Sequence, residues 1–134
     1  MNPDRNHERD PYEGDYLAAD DIAAMPNGVT VTIERIIPAG TEKDARGQLI
    51  DQKILAFKSA GKRLILNKTN FRILHTLLGR AEADWIGKQI TLCVRVLSKS
   101  FGEKDLPCLR IACPPRLMSK RIRDHYGEPF TLNA

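Results

Sequence analysis

Long hydrophobic runs are missing from this chain of 134 residues. None approaches the roughly 18 apolar residues that a membrane-spanning helix needs, so a helical bilayer protein is not expected. The opening stretch, MNPDRNHERD, has no apolar core behind its charges, and no secretory leader is expected there. Cysteine is sparse and odd in number: Cys93, Cys108 and Cys113 make no close pair, which argues against a disulfide framework. They also lack a C-x-x-C spacing, so even with His125 downstream no zinc site is expected. The glycines do not form a phosphate-cradling pattern, and nucleotide hydrolysis has no support. No Ser/His/Asp or Cys/His set assembles, and the carboxylates concentrate in tails and loops. The expectation is a cytoplasmic, non-enzymatic protein without metal or cofactor.

What is present is an ordinary globular balance, 42% hydrophobic and 28% charged, enough for one domain with residues to spare. The net charge of +4 averages two unlike parts. Residues 1–25 carry seven acidic and two basic side chains, a balance of −5; the remaining 19 basic and 10 acidic give +9. The expected organisation is an acidic, largely disordered N-terminal segment over 1–26, a folded domain over 27–115 and a basic C-terminal tail over 116–134. Within the first part, Tyr16, Leu17 and Ile22 are expected to form a short anchoring turn or helix.

Hydrophobic period sets the elements. VTVTIERII alternates Val29, Val31 and Ile33 against Thr30, Thr32 and Glu34, a strand stopped by Pro38 and Gly40. PAGTEKDARGQ is a loop. KILAFKS and KRLILNK, joined at Ala60-Gly61, read as a hairpin. At Thr69-Asn70 the period changes: Phe71, Leu74 and Leu78 mark a helix of about ten residues, capped by Thr69 or Asn70 and ended at Gly79. A short helical piece around Ala81–Trp85 leads into KQITLCVRVL, a second long strand. SKSFGEKDLP is a loop, and CLRIAC is a last strand ended by Pro114-Pro115. Trp85 and Phe57 are expected in the core, His75 at the helix surface or boundary. Five strands with one helix between the third and fourth is the order of the OB-fold, a small Greek-key barrel. The expected class is mainly β: a five-stranded OB-fold barrel with one helix plugging its end.

The stretches LILNKTNFRILHTLLG, DWIGKQITL and LRIACPP resemble a family of small phage and mobile-element proteins. Its members share an L-V-L-N-K-T-N stretch, a W-I-G-K-x-[IV]-T-L stretch and a terminal I-R-[VI] strand. The resemblance covers about residues 28–115 and is carried by Leu64, Leu66, Asn67, Lys68, Thr69, Asn70, Trp85, Ile86, Gly87, Lys88, Thr91 and Leu92. It implies an OB-fold similar to that of single-stranded DNA-binding proteins, at work in phage or mobile-element replication or recombination. Ala56 stands where the resemblance leads one to expect an aromatic, so that position has no stacking role.

An OB-fold meets its ligand on the face of strands two and three and on the loops joining strands one to two and four to five. Lys43 and Arg46 fall in the first loop, Lys53 at the start of the second strand, and Lys58, Lys62 and Arg63 around the hairpin. Lys68 stands at the helix start, where backbone N–H groups can hold a phosphate. Arg95 and Arg110 take the outward phase of the last two strands, and Lys99 and Lys104 flank Phe101 in the loop between them. Cations along a path with an aromatic among them suit single-stranded nucleic acid, because each nucleotide brings an anionic phosphate and a π-face. The expected partner is single-stranded DNA, with RNA as a second candidate, bound without sequence preference. Copies of the chain itself and replication or recombination proteins are further candidate partners. The competing readings are an accessory module that binds another protein through Phe101 or the basic tail, and cations that merely solvate the domain. The charge division also raises, without deciding it, the hypothesis that the acidic first segment folds back over the basic surface as an electrostatic competitor.

Overall fold

Two nine-residue strands carry the fold, because their sequences sustain β-branched alternation longest: β1 (Val29–Ile37) and β4 (Gln89–Leu97). The computed structural model describes residues 16–58, 60–97 and 106–129. In it, β1 and β4 pair antiparallel from Val29↔Leu92 to Thr32↔Gln89. Strands β2 (Ile54–Phe57), β3 (Leu64–Ile65), β5 (Leu106–Ile111) and β6 (Glu128–Pro129) complete an antiparallel sheet. Its order is β3-β2-β1-β4-β5, with β6 beside β4. Three helices accompany it: α1 (Ala19–Ile22), α2 (Lys68–Leu78) and α3 (Lys120–Tyr126). The molecule is mainly β, and its sheet is open.

The mainly β class is as expected, but the sheet does not close into the expected five-stranded barrel. Among the described residues no pairing joins β3 to β5, and a sixth strand is present. The physical reason is the brevity of β3. The Leu66 N–H still continues the ladder to the Lys53 carbonyl at 2.9 Å, but Asn67 already caps α2 by accepting from the Asn70 N–H at 2.8 Å. Neither Thr69 nor Asn70 is the cap; both are buried. Asn70 instead meets the edge of β5, where its amide donates to the Leu109 carbonyl and accepts from the Ile111 N–H, both at 3.0 Å. One side chain thus pairs the backbone edge that a longer β3 would have paired.

A bulge in β1 explains how one strand serves two cores. Ile33 pairs with Phe57 and Arg35 with Ala56, so Glu34 is an extra residue and the inward phase shifts by one. Ile33 and Ile36 therefore face the main core, Ile37 faces the other side, and Glu34 and Arg35 stay exposed. The main core joins Ile33, Leu55, Phe57, Leu64, Leu66, Leu92 and Ile111 to Ile73 and Leu74 of α2 and to Trp85. A second, smaller core of Tyr16, Ile37, Ile50 and Ile54 lies on the opposite face. Both faces of β2 are covered in consequence, and all four of its residues are buried.

Trp85, fully buried as expected, ends the 3-10 turn Glu82–Trp85 and donates its indole N–H to the Gly79 carbonyl at 2.8 Å. The Ile86-Gly87-Lys88 stretch behind it is a docking turn. The Gly87 N–H reaches the Ile33 carbonyl at 2.8 Å and the Lys88 carbonyl accepts from the Ile33 N–H at 2.9 Å. Gly87 sits at φ +87°, a backbone region that a side chain would strain.

Residues 116–129 are part of the fold. α3 starts at Ser119, whose hydroxyl accepts from the Ile122 N–H at 3.2 Å, and it places Ile122 and Tyr126 in the main core. The Tyr126 hydroxyl accepts from the Cys113 N–H at 3.2 Å and stands 3.7 Å from the Cys93 Sγ. Burial, more than its neighbours, pushes this phenol up to about 12. A phenol whose pKa rises on folding stabilises the fold below its ordinary value of 10, and that contribution disappears as pH climbs from 10 towards 12. Urea midpoints should therefore fall across that interval in the native chain and fall less steeply in Tyr126→Phe. Equal slopes would detach Tyr126 from alkaline unfolding.

Candidate nucleic-acid interface

Four of the sequence-selected cations are exposed and make no salt bridge among the described residues: Lys43, Arg46, Lys58 and Lys68. Lys43 and Arg46 ride on the β1–β2 loop, which is a small ladder in its own right. The Gly40 N–H meets the Ile50 carbonyl and the Ile50 N–H meets the Glu42 carbonyl, both at 2.8 Å. The Asp44 carboxylate then closes the tip by accepting from the Arg46 and Gln48 N–H groups at 2.9 and 3.0 Å. Such internal bonding fixes the loop's backbone while leaving the two cationic side chains in solvent. Lys58 stands just past β2, its N–H on the Thr32 carbonyl at 2.9 Å, and Lys68 is the first residue of α2.

Two more selected cations are held by acidic partners. Lys53 is half-buried, paired with Glu82, and its ammonium lies 5.3 Å from the Phe71 ring centre, so it ties β2 to the turn before Trp85. Arg63 pairs with Glu42 and stacks its guanidinium 4.9 Å from the Tyr16 ring centre.

Arg95 and Arg110 correct the expectation of an outward phase. Alternation does point them away from Leu92 and Ile111, but the C-terminal end of α3 covers them there. Arg95 stacks 4.7 Å from the Tyr126 ring centre and donates twice to the Gly127 carbonyl, at 2.9 and 3.1 Å. Arg110 is only 4% exposed and donates to the His125 carbonyl at 2.7 Å and to the Leu109 carbonyl at 3.2 Å, while its Nε has no partner among the described residues. Burial holds this guanidinium below its usual range, against the pull of nearby Cys108, Tyr126 and Cys93. Both arginines thus serve the carbonyl end of α3, where the helix dipole is negative. Lys99, Phe101 and Lys104 lie outside the described residues.

Three side chains that join this surface were not among the selected residues: Tyr16, Glu42 and Asp21. The Tyr16 hydroxyl donates to Glu42 at 2.5 Å, and Asp21 pairs with Lys62 at 2.8 Å. Burial alone would raise the Asp21 carboxyl, but the Lys62 ammonium and the Ala18 N–H outweigh it and hold it below the usual carboxylate value. The signal for Tyr16 was present in the sequence, as an aromatic beside Leu17 ahead of an acidic pair.

On the far side of the sheet, an open cleft of about 380 Å³ lies between the end of β5 and α3, lined by Cys93, Arg95, Cys113, Met118 and Tyr126 among others. Among the described residues, no cluster of histidine, cysteine and carboxylate side chains has the make-up of a metal site, and no helix is long and apolar enough to cross a membrane. No family model, curated protein or solved structure matches this chain.

Proposed function

We propose that this chain is an OB-type domain that binds single-stranded nucleic acid, DNA foremost, and acts without catalysis in the replication or recombination of a phage or mobile element. The observation that carries the reading is the strand order β3-β2-β1-β4-β5, with β1 shared between both halves and α2 inserted between β3 and β4. An OB-fold is a partly open Greek-key barrel with that succession of elements. Here the Asn70 side chain spans the gap between the helix start and β5.

In such a domain the β1–β2 loop and the β2–β3 face receive the strand. Lys43, Arg46 and Lys58 supply exposed cations there, and Lys68 extends them at the start of α2. Phosphates bind to these ammonium and guanidinium groups, and Phe101 stacks on a base. The stack contributes on the order of 1–3 kcal/mol.

Titration of fluorescent oligo-dT, oligo-rU and duplex DNA tests the reading. The single strands should bind at low salt, oligo-dT at least as tightly as oligo-rU, and duplex more weakly. The double variant Lys43→Glu/Arg46→Glu should lose most of that affinity with an unchanged unfolding midpoint. If no single strand binds at low salt, the reading fails. Duplex binding as tight as single-strand binding would remove the stacking mechanism.

A further inference from the structure

The outer edge of β3 is occupied by the chain's own N-terminal segment, and the manner of occupation is chemically specific. Tyr16 forms a parallel bridge with Arg63, and the Leu17 N–H donates to the Arg63 carbonyl at 2.7 Å. The Tyr16 ring is 3% exposed, sits in the second core with Ile37, Ile50 and Ile54, and lies against the Arg63 guanidinium. Its hydroxyl donates to one oxygen of Glu42, whose other oxygen takes Arg63. A few residues on, the Asp21 carboxylate occupies the Lys62 ammonium.

A flat ring stacked on a guanidinium, a polar N–H or O–H donor aimed at a carboxylate, and an anion on a neighbouring lysine are also the contacts that one nucleotide makes. Guanidinium planes stack on unpaired bases, and a carboxylate accepts from base N–H groups. A lysine binds phosphate as a point charge.

We propose that Tyr16 and Asp21 occupy a nucleotide subsite of this protein and must leave it when a strand binds. The base seat is Arg63 and Glu42 over Ile37, Ile50 and Ile54; the phosphate seat is Lys62. The ligand is one unpaired nucleotide within a single strand, and its base must carry an N–H for Glu42. This rests on the function proposed above. It adds to that reading a place for one base and a reason why the acidic segment weakens binding.

The test uses the full chain and two readouts. The first is affinity for a fluorescent mixed-sequence single strand at low salt. Asp21→Asn, which removes a competing charge and leaves the second core intact, should tighten binding by about fivefold. Tyr16→Ala should tighten it by about tenfold or more, the scale of one stacked ring. Lys62→Ala should weaken it. The second readout is hydrogen exchange at the Leu17 amide, which should speed up when the strand saturates the protein, because its bond to Arg63 is released.

Binding with an unchanged or slowed Leu17 amide would overturn the subsite while leaving the single-strand function standing. Unchanged affinity in Asp21→Asn together with unchanged or weaker affinity in Tyr16→Ala would do the same. If neither the native chain nor either variant binds, the function and the subsite fall together.

Discussion

Replacing Asn70 with alanine should lower the unfolding free energy by about 3 kcal/mol, as read from urea denaturation. The side chain is 1% exposed and bonds both the Leu109 carbonyl and the Ile111 N–H, so truncation leaves two buried backbone groups without partners and opens a small void. Each orphaned group costs roughly 1–3 kcal/mol, and partial relaxation of the β5 edge recovers some of it. Asn70→Asp sharpens the test through pH. Its carboxylate would keep the bond from Ile111 but face the Leu109 carbonyl with a lone pair, and burial would raise its pKa above the unfolded value. Its neutral form, which donates to Leu109, then stabilises the fold at low pH, and that contribution is lost as pH rises towards neutrality. The gap between native chain and Asn70→Asp should therefore narrow between pH 7 and pH 4.5. A loss below about 1 kcal/mol in Asn70→Ala would mean that β5 does not depend on this side chain.

Trp85→Ala should cost about 3–5 kcal/mol, at the upper end for core truncation. The indole is completely buried, edge-on to Phe71 at 6.0 Å between ring centres, and its N–H holds the Gly79 carbonyl at the end of α2. Its removal also loosens the turn that anchors Gly87 and Lys88 on Ile33, so β1 and β4 lose a fastening as well as a ring. Trp85→Phe keeps most of the apolar volume and forfeits the hydrogen bond, for a loss of about 1–2 kcal/mol. Circular dichroism is the suitable probe, because the chain has a single tryptophan and the substitution removes it. Equal losses in the two variants would show that the hydrogen bond, not the packing, sets the stability.

Much of this fold is legible in the sequence, and the exceptions have physical causes. β1 is readable end to end because β-branched residues alternate through it, and α2 because Phe71, Leu74 and Leu78 repeat at helical spacing. The bulge at Glu34 is not readable, since VTVTIERII continues to look like a regular strand while its inward face changes from Ile33 to Ile36. β3 looks seven residues long in KRLILNK, yet the strand spans only Leu64–Ile65, because Asn67 is claimed by the helix cap.

The candidate site divides along the same line. Exposure of Lys43 and Arg46 follows from a polar loop. The burial of Arg110 does not follow from alternation within β5, because it depends on α3, a distant cover whose apolar pair Ile122 and Tyr126 stands four residues apart. The pairing of Arg63 with Glu42 and Tyr16 is tertiary in the same way. The Glu42 carboxylate neutralises, and the Tyr16 ring covers, a cation that composition alone counts as available.

The most direct test of single-strand binding is the salt dependence of oligo-dT affinity. Each phosphate neutralised on a single strand contributes a slope of about −0.7 in log K against log salt, so four exposed cations fully engaged would give a slope near −3, at roughly 0.7 each. The expected result is measurable binding at low salt, a slope of that sign and order, and a shallower slope in Lys43→Glu/Arg46→Glu. No binding at low salt, or an affinity indifferent to salt, would contradict it.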